Sequence, residues 1–231
     1  MTALEVRGLR AGYGSAEVLF GVDIAVGERE VLAVLGRNGM GKSTLIRSIL
    51  GLTAVHGGKV HVAGKDVTGW PSHRVARAGV GWVPEGRQIF TALTIEENLR
   101  VSMRKGAWTL DRIYRLFPRL DERKRHFGDQ ISGGEQQMLA IGRALLTQPA
   151  VMMLDEATEG LAPLVRAEIW RTLEALKASG QSVLIVDRDL DALSKLADRF
   201  AVMEKGRVAL SGSNPDLRSR KREIERFMGV S

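Results

Sequence analysis

Residues 31–51 read VLAVLGRNGMGKSTLIRSILG. The opening apolar run, VLAVL, reads as a short strand with both faces buried, the kind found in parallel sheets. It passes through a glycine-rich loop into a segment where Leu45, Ile46, Ile49 and Leu50 mark one face of a helix. Gly51 stands where a helix C′ glycine belongs. A strand buried on both faces needs neighbouring strands and covering helices. The chain supplies candidates in VGWVP (80–84), VMMLD (151–155) and VLIVD (183–187). Strands that alternate with helices predict a mostly parallel sheet with right-handed crossovers.

Other stretches fill in the order. The first 30 residues read as strands and turns, and 57–67 as a hairpin. Thr94 with Glu97 spells a capping box and opens helical patterning that lasts to about residue 147. Pro163 opens a helix with Val165, Ile169, Leu173 and Leu176 on one face, closed by Gly180. DALSKLAD (191–198) reads as a helix, FAVMEKGRVALSG (200–212) as a hairpin, and a charged helix follows Asn214-Pro215. The uninterrupted helical stretch predicts a separate subdomain at about 90–148. Core and β-rich parts take about 1–85 and 150–231, all within one domain spanning 1–231.

Of the 231 residues 44% are hydrophobic and 26% charged, an ordinary globular balance. There is no cysteine, which excludes disulfides and thiolate metal sites. No apolar stretch approaches the roughly 20 residues that cross a bilayer, and the N-terminus does not read as a signal peptide. Any membrane role is therefore peripheral. The net charge of +7 is compatible with phosphates, acidic lipids or nucleic acid. Much of the excess lies in RLFPRLDERKRH (115–126) and LRSRKREIER (217–226), mixed-sign stretches that read as solvated helix faces.

Gly36-Arg37-Asn38-Gly39-Met40-Gly41-Lys42-Ser43 fits the pattern G-x-x-x-x-G-K-[ST], placed after a buried strand and opening a helix. Glycines let backbone N–H groups converge on phosphate oxygens, and the helix N-terminus adds partial positive charge. Lys42 is placed to reach the β- and γ-phosphates of a nucleotide, and the Ser43 hydroxyl to ligate Mg2+. Residues 36–43 with Thr44 form the candidate ATP-binding loop. A metal-binding carboxylate is needed on a neighbouring strand, and VMMLDE supplies Asp155. Glu156 follows, where a base could deprotonate an attacking water.

Ile131-Ser132-Gly133-Gly134-Glu135-Gln136-Gln137 precedes the Asp155 strand at the start of a helix. Ser132, Gly133 and Gly134 offer a hydroxyl and bare amides, a second candidate anion site. This string, with the loop and the carboxylate pair in that order and spacing, resembles the ATP-binding-cassette family. The resemblance covers the whole chain. Its fold implication is an α/β P-loop NTPase: a mostly parallel core sheet, an N-terminal antiparallel β subdomain and a helical subdomain carrying the signature motif. It further implies that two such domains pack head to tail, with each ATP between one copy's phosphate loop and the other's signature motif. Tyr13 matches the aromatic residue that stacks on adenine, although a core tyrosine reads equally from the residues. VPEGRQIFTALTIEENL, ISGGEQQMLAIGRALL and GLAPL look like the smaller ATPase subunit of branched-chain amino acid uptake systems.

Several positions depart from the family pattern. Glu85 replaces a glutamine that meets Mg2+ or the attacking water. Ala162 replaces an interface aspartate, and Ala157 a proline. Arg188, just past the VLIVD strand, replaces a histidine that contacts the γ-phosphate. An arginine there can donate charge-assisted hydrogen bonds to phosphate but cannot shuttle a proton. The competing expectation pairs it with Asp187, Asp189 or Asp191.

The resemblance implies an ATPase subunit on the inner face of the cell membrane. Its partners would be permease subunits, a second ATP-binding subunit in a heterodimer or homodimer, and a separate solute-binding protein. Two other readings compete: a nucleic-acid-associated ATPase of the same cassette family, and a non-catalytic regulatory cassette. The chain lacks the long insertions and zinc-binding cysteines usual in the first, and intact Lys42, Asp155 and Glu156 oppose the second.

Overall fold

The computed structural model describes residues 1–229. Two long strands, β1 (Thr2–Tyr13) and β2 (Ala16–Gly27), form an antiparallel pair. Next come β3 (Val31–Leu35), α1 (Lys42–Ile49), β4 (Ala54–Val62) and the short β5 (Lys65–Asp66). Helix α2 (Ser72–Ala78) leads into β6 (Val80–Val83). The predicted helical stretch contains α3 (Ile95–Ser102), α4 (Leu110–Leu116), α5 (Pro118–Glu122) and α6 (Gly133–Leu146). It holds no named strand, only an isolated bridge between Thr94 and Phe127. The chain returns through β7 (Val151–Asp155), α7 (Pro163–Ala178), β8 (Ser182–Val186), α8 (Leu190–Leu196), β9 (Arg199–Glu204) and β10 (Arg207–Ser213). It closes with α9 (Asn214–Ser219) and α10 (Lys221–Met228).

The strands form two sheets. One is antiparallel, in the order β2-β1-β4-β5; the other runs β10-β9-β3-β8-β7-β6. The second is parallel except for its edge strand β10, which pairs antiparallel with β9. Every residue of β3, β7 and β8 is buried, as their unbroken apolar spelling predicts. Alternation inside β3 still sorts its side chains. Val31, Ala33 and Leu35 join a core shared with α3, α6 and α7, while Leu32 and Val34 face a second core under the antiparallel sheet and α1. The central sheet is thus covered on both faces, and the C-terminal ends of β3, β7 and β8 meet at one edge. In open α/β sheets that edge is where ligands bind.

Local signals hold at several element ends. The Thr94–Glu97 capping box forms, with the Thr94 hydroxyl accepting from the Glu97 amide and the Glu97 carboxylate accepting from the Thr94 amide. Pro163 occupies the first turn of α7, and Gly51 and Gly180 take left-handed conformations past their helices. The charged C-terminal helix differs from expectation. It breaks at Arg220 into α9 and α10, with the Arg220 guanidinium on Glu223 and Lys221 on Asp191. The basic stretches carry ion pairs within themselves, at Lys124–Asp121 and Arg220–Glu223, and to other elements, at Arg123–Glu135 and Lys221–Asp191.

Candidate functional site

The glycine loop is shaped by what surrounds it. Gly36 has φ 138°, and a Cβ there would fall 2.5 Å from the Met203 carbonyl oxygen, so no side chain fits. Gly41, at φ 101°, is the N-cap of α1 and provides no side-chain cap; the first turn holds no acidic residue. The first amides of α1 therefore lack a side-chain acceptor, an arrangement that favours an anion. Lys42 is nearly buried and bends back over the loop. Its Nζ donates to the carbonyl oxygens of Gly36 (2.8 Å) and Arg37 (3.0 Å) and lies 4.0 Å from Glu156 Oε1. Burial draws its pKa down, and Glu156 opposes that.

Strand β7 delivers the carboxylates. Asp155 ends the strand, is 6% exposed, and its Oδ1 has no hydrogen-bond partner. Burial pushes its pKa up and Glu85 adds to the shift, while Lys42 and the Ser43 hydroxyl oppose it. Glu156 then turns the chain with φ 49°, and its amide donates to the Val186 carbonyl at the end of β8 (2.8 Å). Burial and a hydrogen bond shared with Glu159 push the Glu156 carboxyl up to about 7, against the pull of Arg188 and Lys42.

Arg188 answers the question the sequence left open. Its Nη2 donates to Asn38 Oδ1 (2.5 Å) and to Glu156 Oε2 (3.4 Å), and lies 4.0 Å from Glu159 Oε1. The neighbouring aspartates are engaged elsewhere. Asp187 accepts from backbone amides and from Thr158, Asp189 caps α8, and Asp191 pairs with Lys221. The expected pairing of the Arg188 guanidinium with those aspartates does not occur, because the side chain crosses to the phosphate loop.

These groups enclose a pocket of about 340 Å³ lined by Val18, Asn38, Gly39, Gly41, Lys42, Ser43, Thr44, Glu85, Glu156, Glu159 and Arg188. Gly36, Arg37, Met40 and Asp155 are not among its lining residues: the Gly36 and Arg37 carbonyls hold Lys42, while Arg37 and Met40 line a separate pocket with Glu204, Lys205 and Phe227. Glu85, Glu156 and Glu159 each place a carboxylate oxygen within 4.8 Å of the others. Glu159 is not legible from motif spacing; it reaches the pocket because the left-handed turn at Glu156 folds the following residues back. Tyr13 lies outside the pocket lining at the end of β1 and is 50% exposed, which overturns the core-tyrosine alternative. Its ring is open to solvent where a flat base could stack.

Ser132, Gly133 and Gly134 do not line this pocket. Ser132 caps α6, its hydroxyl accepting from the Glu135 amide and donating to the Glu135 carboxylate (2.7 Å). Glu135 is further held by Arg123. The turn is tightly packed: a Cβ at Gly133 would fall 2.4 Å from Arg87 Nη1, and one at Gly134 2.4 Å from Val165 Cγ1. Ala162, the N-cap of α7, is exposed and offers no polar side chain.

A glycine loop on a helix N-terminus, a buried lysine over it and carboxylates from the adjacent strand define a nucleoside-triphosphate-binding P-loop protein. The family model "ABC transporter" matches residues 19–159. The chain belongs to the ABC transporter family, and it is an ATP-binding, ATP-hydrolysing protein of that family. It is 36% identical over 225 residues to the high-affinity branched-chain amino acid transport ATP-binding protein BraG of Pseudomonas aeruginosa, covering 94% of this chain and 95% of that one. It is 33% identical to the probable branched-chain amino acid transport ATP-binding protein LivF of Archaeoglobus fulgidus, over 96% of this chain and 97% of the other. A crystal structure of an ATP-binding cassette of an ABC transporter in its ADP conformation superposes with TM-score 0.86, at 25% identity, over 100% of this chain and 98% of that one. These relatives do not favour the nucleic-acid-associated alternative. Among the described residues no helix is long and apolar enough to cross a membrane.

Proposed function

We propose that this chain, a single nucleotide-binding domain, is the ATPase subunit that powers an importer of branched-chain amino acids or related small solutes. The solute class rests on near full-length similarity to BraG and LivF. The mechanism rests on one observation: four separated segments, at 38–44, 85, 156–159 and 188, converge on a single pocket at the C-terminal edge of the parallel sheet.

The terminal phosphates of ATP lie on the amides of residues 36–44, with Tyr13 stacking on the adenine. Lys42 exchanges its carbonyl partners for β- and γ-phosphate oxygens. The orphaned, buried Asp155 Oδ1 and the Ser43 hydroxyl fit a cation site, with Glu85 as a third oxygen donor. Mg2+ bound there would neutralise charge on the phosphates. Glu156 accepts the proton of the attacking water. Arg188 releases Glu156 and donates to the γ-phosphate, a charge-assisted contact of the kind arginine makes bidentately. Ser132, Gly133 and Gly134 serve the ATP held by another ATP-binding subunit, which agrees with their absence from the chain's own pocket.

The working assembly includes permease subunits and a second ATP-binding subunit, identical or different, with a separate solute-binding protein; nucleic acid is not a partner. Leu50, Leu52, Trp82, Pro84 and Ala144 line an apolar groove between α2, β6 and α6 that suits a permease segment. The subunit would then sit peripherally on the cytoplasmic face of the membrane. Uptake of labelled leucine into vesicles containing the cognate permease tests the reading. ATP-dependent uptake that requires this chain and stops with Lys42→Ala supports it. Uptake indifferent to the chain refutes it.

A further inference from the structure

We propose that Thr158 and Asp187 are positioning residues that aim Arg188 at the γ-phosphate; the inference rests on the role given to Arg188 above. Arginine is long and flexible, so its direction depends on how firmly its own backbone is held. Arg188 sits in the short connection between β8 and α8. The Asp187 carboxylate closes this turn: Oδ1 accepts from the amides of Arg188 (2.7 Å) and Asp189 (3.0 Å). Its Oδ2 accepts from the Thr158 hydroxyl (2.7 Å). Asp187 is 6% exposed and has no cationic partner within ion-pair distance among the described residues, so these donors alone satisfy a buried carboxylate. Thr158, 3% exposed, follows Glu156 by two positions on the turn after β7.

The consequence is mechanical. Apart from the Arg188 guanidinium itself, the turn carrying Glu156 is tied to the segment carrying Arg188 by the Glu156 amide on the Val186 carbonyl and by Thr158 on Asp187. The first tie is backbone and any sequence could make it. The second requires a hydroxyl at 158 and a carboxylate at 187. Between them they fix the reacting carboxylate and the phosphate-binding guanidinium at 3.4 Å from each other. A buried, fully satisfied polar link of this kind locks one arrangement of two loops. Arg188, half-exposed, thereby keeps its guanidinium on Asn38 and the phosphate pocket.

The test is a set of full-length variants: Thr158→Val, Thr158→Ser, Arg188→Ala and the double variant Thr158→Val/Arg188→Ala. Readouts are the ratio of ADP to ATP dissociation constants with magnesium, and turnover at saturating ATP. Thr158→Val keeps the side-chain shape and removes the donor. Loss of one hydrogen bond to a charged group is expected to lower both the preference for ATP and turnover about tenfold. Serine restores the donor and the parent values. In the Arg188→Ala background valine has no further effect, since the residue it positions is gone. An effect of Thr158→Val that is equally large with and without Arg188, or no effect at all, overturns the proposal while leaving Arg188 in place. Parent-like values for Arg188→Ala remove the reading beneath it, and the positioning role falls with it.

Discussion

Replacing Glu156 with glutamine separates the chemistry of the site from its stability. The side chains are nearly isosteric, so the turn after β7 and its amide contact to Val186 survive. The base is lost, and turnover should fall by about 10²–10⁴-fold, the range for a general base. Stability should move the other way, and only at one end of the pH range. The Glu156 carboxyl is raised from 4.5 to about 7, first by burial and then by Glu159. A carboxyl raised in the folded state binds its proton more tightly there than in the unfolded chain. Its contribution to stability is present below pH 4.5 and is lost as pH rises through about 7. The full shift corresponds to about 3 kcal/mol; sharing of charge with Glu159 and the nearby Lys42 and Arg188 brings the expected loss to about 2 kcal/mol. Glutamine carries no such charge. Urea unfolding of nucleotide-free protein should therefore show parent and Glu156→Gln close together at pH 5, with the variant about 2 kcal/mol more stable at pH 8. Parallel curves at both pH values would refute the claim that the pocket strains this carboxylate.

Other substitutions probe separate links. Gly36→Ala puts a Cβ against the Met203 carbonyl at a left-handed φ and should cost about 3 kcal/mol of unfolding free energy, read by denaturant titration. Thr94→Ala removes the capping box of α3 and should cost about 1 kcal/mol while leaving ATP affinity unchanged, since Thr94 lies outside the pocket lining. Gly134→Val collides with Val165 beneath the signature turn, so melting temperature as well as turnover should fall, whereas Ser132→Ala should cost about 1 kcal/mol through the lost cap of α6.

Much of this site was legible because its parts are contiguous in sequence. The loop from Gly36 to Thr44, its buried strand and its helix are all spelled in one stretch, and VMMLDE announces both a strand and its acidic end. What escaped is what folding brings together. The order of strands, with β3 between β8 and β9, leaves no trace in any single run of residues. Glu159 and Val18 enter the pocket through a left-handed turn and through the neighbouring sheet, and neither carries a motif. The aim of Arg188 was undecided in sequence because aspartates flank it; only the engagement of Asp187, Asp189 and Asp191 by other donors releases it toward Asn38. The break at Arg220 likewise follows no glycine or proline, so a single charged helix was the natural expectation there.

Isothermal titration of the full chain with ATP in the presence of magnesium addresses the central claim most directly. Saturable binding of one nucleotide per chain, abolished by Lys42→Ala, is the predicted result. Heat no greater than dilution for both ATP and ADP would contradict it.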